Sequence, residues 1–218
     1  LHDRDDARLP ALFPRRPQAT FAIRPVEDFR AASATAVSYS PQSAAGGQAG
    51  VLYVNTSELA SRPSYALDAL YLGEAVPGRF YLAAIAQESL NLPRFRRFGG
   101  DAAFVAGCSR YAQSLGTGLG LCADPYSQFG ALNSELWRAA ALVVDTGLHA
   151  HGWSRQRAGD YLRENTALGE ADIAAEVDRY VACPGQAHAD KVGRVKILAL
   201  RGGAGQRQDG LGNGAVAE

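Results

Sequence analysis

The 218-residue chain contains no methionine, only three cysteines and only two tryptophans. It begins at Leu1, so a polypeptide without methionine is expected to be processed or partial; no signal peptide is visible in it. Cys108, Cys122 and Cys183 form no C-x-x-C pair and are odd in number. A disulfide scaffold is therefore not expected, and the thiols read as buried or incidental rather than as nucleophiles or metal thiolates. Neither sign of charge is in excess. Lys+Arg is 22 and Asp+Glu is 22, a balance that argues against a nucleic-acid binder. Long apolar runs are missing too: the stretch Ala139 to Val144 falls far short of the roughly 18 residues a membrane span needs. No serine has convincing His/Asp partners, and there is no Gly-Lys-Ser/Thr phosphate loop. Gly116-Thr117-Gly118-Leu119-Gly120 lacks the strand and spacing of a dinucleotide loop and reads as a helix stop.

What is present is an ordinary globular composition, 47% hydrophobic and 20% charged, with helical periodicity over most of the chain. Residues 1 to 20 are polar and proline-containing, an irregular lead-in. Val26 to Ala36 suits a short helix, residues 40 to 50 a loop, and Val51 to Val54 a strand. Helices are then expected from Tyr65 into Glu74, broken at Pro77-Gly78, and again from Phe80 to Leu90. Asp101 caps one through Leu115, Asp124 or Pro125 opens a long one, and Ser154 caps the next. Glu170 to Val181 and His188 to Arg201 complete the set, the last with Val192, Val195 and Leu198 or Leu200 on its buried side. Residues 202 to 218 hold six glycines among mostly polar neighbours and are expected to be a disordered tail. The fold class is mainly α with a minor short β element.

The stretch Gly73-Glu74-Ala75-Val76-Pro77-Gly78-Arg79-Phe80 has the frame of a zinc-peptidase helix without its histidines. In such a helix two histidines hold zinc, and a neighbouring glutamate takes a proton from the zinc-bound water. Here Glu74 stands alone.

Several segments in one order make the chain similar to the DUF885 family, bacterial proteins resembling zinc metallopeptidases. They include Gly50 to Thr56, Arg62-Pro63, Glu74 to Gly78, Leu92 to Arg97, Asp124-Pro125-Tyr126 and Glu135 to Ala139. Val143 to His149, Glu164 to Ala167, Glu176 to Tyr180 and Pro184-Gly185-Gln186 continue the series. The match covers roughly residues 9 to 201, and residues 1–201 read as a partial catalytic segment of a longer, helical, gluzincin-like architecture. The resemblance implies zinc as the family cofactor and a motif His-Glu-Ala-Val-Pro-Gly-His-His. Against it, the ligand positions are Gly73, Arg79 and Ala106, with Phe80 a rival to Arg79 for the second histidine. No cofactor is therefore expected here.

Glu74 is either a vestigial general base or a carboxylate satisfied by a cation such as Arg79, and the second reading is favoured. Arg138, Arg179, Tyr180 and Lys191 fall where the family would line a peptide cleft: arginines to hold a carboxylate, Tyr180 to donate to an oxyanion. Internal salt bridges are the alternative for the arginines. His149 matches a family histidine and shares a helical face with Asp145, whereas His151 and His188 read as incidental; His2 completes the histidines. The function expected is that of a metallopeptidase-like protein without zinc or peptidase activity that retains peptide binding. The alternative is an active hydrolase with a metal site rebuilt from Glu74, Asp145 and His149, and a degenerate fragment without activity is a third. Peptides, a second copy, or the missing family regions are the expected partners. Bacterial family members are often exported, which points to the periplasm or to secretion.

Overall fold

In the computed structural model, residues 9–11, 13, 15–43 and 49–214 are described, and 62% of the chain is helical. Three short strands form the one sheet among these residues: β1 (Phe21–Pro25), β2 (Val37–Ser40) and β3 (Gly50–Val54). The order is β1-β3-β2, with β1 parallel and β2 antiparallel to β3. Leu52 is the hub: it pairs with Ile23 on one side and Tyr39 on the other, and its side chain is buried. Only β3 shows the apolar β-formers that mark a strand in sequence. β1 contains Arg24 and Pro25 and β2 alternates Val and Tyr with serines, so neither declared itself. Within the expected helix of Val26 to Ala36, only α1 (Asp28–Ala31) is helical. The Asn55 side-chain amide donates to the carbonyls of Ala31 (2.8 Å) and Ala34 (3.0 Å), which holds this segment as a turn against β3.

The helices that follow are α2 (Leu67–Glu74), α3 (Arg79–Glu88), α4 (Arg94–Phe98), α5 (Ala102–Ser114) and α6 (Pro125–His151). Then come α7 (Arg155–Asn165), α8 (Glu170–Ala182) and α9 (Gln186–Gly214). The caps fall where the sequence puts them. Asp101 accepts from the Phe104 N–H, Asp124 from the N–H groups of Tyr126 and Ser127, and Ser154 from that of Arg157. The Pro77-Gly78 break separates α2 from α3, and the Val76–Pro77 peptide is cis.

Two buried clusters hold the fold. One joins the sheet to α2 and α3 through Leu52, Tyr71, Leu72, Val76, Phe80 and Leu121. Phe80 is a core residue there, its ring against Phe21 (4.6 Å) and Tyr39 (5.7 Å). The other packs α6, α7 and α8 around Val144, Leu162, Ile173, Val177 and Tyr180. Among the described residues no helix is long and apolar enough to cross a membrane.

The face of α9 that packs inward is not the one its apolar periodicity suggested. Ala189, Asp190 and Gly193 are buried, while Val192, Val195, Leu198 and Leu200 are exposed. Backbone geometry is the reason. A Cβ on Gly193 would stand 1.8 Å from the Ala103 carbonyl oxygen, and one on Gly107 would stand 2.4 Å from the Gly193 carbonyl carbon. The two glycines let α5 and α9 cross nearly in backbone contact, and that crossing dictates the buried side. The helix continues through Gly214, past residue 201 where the sequence suggested that a tail begins; residues 215–218 lie outside the described ones.

Gly193→Val is therefore expected to destabilise the chain by about 3 kcal/mol or more, the upper end for overpacking, because backbone rather than a mobile side chain blocks it. Urea denaturation against the parent measures it. Gly202→Val, with nothing within 4 Å of the added Cβ, is the control and should change stability little.

Candidate functional site

Glu74 ends α2 with its carboxylate turned inward, 7% exposed as a residue. Its Oε2 accepts the backbone N–H of Tyr39 on β2 (3.2 Å). Its Oε1 lies 3.6 Å from Arg79 Nε and 3.8 Å from an Arg110 terminal nitrogen. Arg79, the cation that sequence suggests for Glu74, is thus joined by Arg110, which no local motif singles out.

Arg110 is the centre of a larger network. It lies on α5 at 5% exposure; its Nε donates to Asp190 Oδ1 on α9 (3.0 Å) and Nη1 to Gln113 Oε1 (2.9 Å). Arg138 of α6 approaches Asp190 Oδ2 at 3.5 Å and stacks on the Trp137 ring at 3.8 Å. Burial, then repulsion from Arg138, pulls the Arg110 guanidinium down to about 10, so it stays charged at neutral pH. Burial pushes the Asp190 carboxyl up, but Arg138 and Arg110 outweigh it and the balance is downward. Glu74, Arg79, Arg110, Arg138 and Asp190 thus bring five helices to one point. The neighbouring Lys191 and Arg194 both bond Glu135 of α6, the latter at 2.7 Å.

The remaining residues singled out from sequence sit around this point. The space beside Gly73 is filled: a Cβ there would stand 2.6 Å from Gln113 Nε2, which itself donates to the Ala69 carbonyl (2.8 Å). The Gly73 carbonyl accepts the Ser109 hydroxyl (2.8 Å). Ala106 is buried on α5. Arg179 bonds Glu176 and donates to Gln186 Oε1 (3.1 Å). Tyr180 is fully buried, and its hydroxyl accepts from Trp137 Nε1 (3.1 Å). Burial, with the Glu176 charge next, pushes its phenol well above the ordinary tyrosine range.

Asp145 and His149 do meet across one turn of α6, at 3.5 Å. The closer partner of Asp145 is His188, whose Nδ1 lies 2.9 Å from Oδ2 and whose Nε2 lies 2.9 Å from Thr146 Oγ1. His188, read from sequence as incidental, is a latch between α6 and α9. Its only signal was its position three residues after the Gly185 turn, whose N–H also bonds Asp145 (3.2 Å). His149 Nε2 lies 2.9 Å from the Tyr180 carbonyl. His2 lies outside the described residues. Among the described residues no disulfide forms, and burial pushes the Cys108 thiol up to about 11.

These residues do not fit a catalytic zinc. Such a site needs three protein donors and an open position. Among the described residues no group of three or more His, Cys, Asp or Glu is placed to hold a metal.

The structure defines a mainly helical chain with a small mixed sheet and a buried guanidinium–carboxylate network where its helices converge. The family model for DUF885, "bacterial protein of unknown function", matches residues 2–214, and the chain belongs to that family. A solved structure from Colwellia psychrerythraea, described as a "putative lipoprotein", is 32% identical with a TM-score of 0.91. The match covers 94% of this chain and 35% of that one. A second from Shewanella oneidensis, under the same description and of unknown function, is 17% identical with a TM-score of 0.68, covering 94% of this chain and 40% of that one. This chain thus spans less than half the length of either. No curated protein matches it.

Arg110→Met should cost about 3–5 kcal/mol, the range for removing one partner of a buried ion pair, because Asp190 and Glu74 lose their shared cation. The pH dependence has a definite sign. The Asp190 carboxyl is lowered in the folded chain, so its contribution is present above the ordinary aspartate range and is lost as pH falls through and below it. Asp190→Asn should flatten that acid limb of the stability curve, as followed by thermal melts between pH 2 and pH 7.

Proposed function

We propose that this chain is a metallopeptidase-like DUF885 protein that binds peptides and cleaves none, its zinc chemistry having been lost. One observation carries the reading: the candidate general base, Glu74, is engaged by two guanidinium groups and a backbone N–H. A general base needs a polarised water to act on, and glycine, arginine and alanine at positions 73, 79 and 106 offer no lone pair to a metal that would polarise one.

The alternative, a site rebuilt around Glu74, Asp145 and His149, gains no support from geometry. Asp145 is 1% exposed, and both its oxygens already serve the α6–α9 latch. A gluzincin-like ancestry is supported by the order of family segments, and the arginines at the convergence of α3, α5 and α6 supply the chemistry for holding a peptide carboxylate. The exposed Val192, Val195 and Leu200 of α9 support association with a second copy or with the remaining part of the family architecture. The lipoprotein description of both matched structures supports an exported, bacterial setting.

Chelator-free purification followed by elemental analysis should find far less than one zinc per chain, and a peptide library should show binding without cleavage, with or without added zinc. One tightly held zinc per chain, together with cleavage abolished by Glu74→Gln, overturns the reading. Neither binding nor cleavage leaves only an inert fragment.

A further inference from the structure

The Glu74 network is not balanced in charge or in hydrogen bonds. Its inner members are three guanidiniums, Arg79, Arg110 and Arg138, against two carboxylates, Glu74 and Asp190. Arg110 is well used, with bonds to Asp190 and Gln113. Arg79 and Arg138 are not. Each meets its carboxylate only at 3.6 and 3.5 Å, beyond a good hydrogen bond, and the buried Nε of each has no acceptor. A buried donor without an acceptor is unfavourable, and so is an uncompensated cation in a low-dielectric setting. Both deficits would be met by the same thing, an additional oxyanion.

We propose that Arg79 and Arg138 flank a site for a small oxyanion, a carboxylate or phosphate group, at the place where the sequence frame would have put a cation. Each residue has a distinct part. Arg138 is nearly buried and held flat on Trp137, so its fork is oriented in advance. Arg79 is about a third exposed at the start of α3 and gives the anion its approach from solvent. Arg110 supplies field rather than contact, since its Nε and Nη1 donate to Asp190 and Gln113 and its Nη2 faces Glu74 at 3.8 Å. Glu74 and Asp190 keep the excess to a single positive charge, which selects one small anion over a polyanion. The ligand's oxyanion is either the C-terminal carboxylate of a peptide or free phosphate. The proposal deepens the binding reading above and rests on it only for the peptide source.

The test uses the full chain in thermal melts, titrated with sodium phosphate against sodium chloride at equal ionic strength. A parallel titration uses an N-acetylated tripeptide as the free acid and as its amide. A saturable rise in Tm is expected with phosphate, with the free-acid peptide, or with both. Arg79→Gln, at a partly exposed position, should weaken that binding about tenfold, as the loss of one charge-assisted hydrogen bond implies. Arg155→Gln, whose exposed pair with Asp178 joins α7 to α8 instead, should leave it unchanged. A response to the acid but not the amide assigns the peptide source; a response to phosphate alone assigns the free anion. No saturable response, an equal response in Arg79→Gln, or an equal loss in Arg155→Gln overturns the site. A zinc-bearing, peptide-cleaving chain that still takes phosphate through Arg79 would refute the function proposed above and leave this site standing.

Discussion

The buried contact between Arg110 and Asp190 is the constraint on which the arrangement of the helices turns. Its two residues come from α5 and α9, the pair that the glycine crossing at Gly107 and Gly193 brings into near backbone contact. The crossing and the ion pair depend on each other. Without the glycines the helices stand too far apart for a 3.0 Å bond, and without Asp190 the crossing would bury a guanidinium with only the more distant Glu74 to answer it. Burying charge is costly unless geometry is good and the remaining donors are served. Arg110 meets that condition through Gln113, whose other amide end is fixed to the Ala69 carbonyl of α2. One buried cation thereby sets the spacing of three helices.

A second polar node performs a purely mechanical task by the same means. Asp145 is as deeply buried as any charged residue described, yet its surroundings accommodate it: the Gly185 N–H, His188 and His149 all approach it. The residues of the α8–α9 turn are thus tied to the C-terminal part of α6 at Asp145, and Tyr180 and Val177 are packed in the core beneath. The contrast with the first node is informative. At Asp145 every oxygen has a short partner, whereas at Arg79 and Arg138 the contacts are long and donors are left over. A node that only holds the fold can relax until its bonds are short. At the other node the contacts stay longer and two buried Nε donors lack acceptors.

Much of the helical frame was legible because its signals are local. Asp101, Asp124 and Ser154 cap the helices they precede, and Pro77-Gly78 interrupts the chain between α2 and α3. What stayed hidden depends on contacts between distant residues. β1 and β2 carry too few β-formers to be seen alone and exist because Leu52 pairs on both sides. The apolar stripe of α9 pointed to the wrong face because periodicity measures amphipathicity and is blind to a backbone crossing, where the deciding residue is glycine. In the network where the helices converge, the family frame draws attention to Glu74, Arg79 and Arg138. Arg110 was missed because it lies within α5, away from the altered motif, and nothing in Ser109-Arg110-Tyr111 announces a buried cation.

Around Gly73 and Glu74 both the space and the charge are already engaged. Gln113 occupies the space a side chain at position 73 would need, and Arg79 and Arg110 stand within 4 Å of the carboxylate that would have faced the metal. A dication about 4 Å from one guanidinium would meet a repulsion of roughly 8 kcal/mol at an effective dielectric constant near 20. That is comparable to much of the binding free energy a protein zinc site provides. Returning a histidine to position 73 alone therefore leaves the metal opposed by charge and the imidazole opposed by Gln113. The field at this locus is that of three guanidiniums against two carboxylates, and any chemistry there has to begin from it.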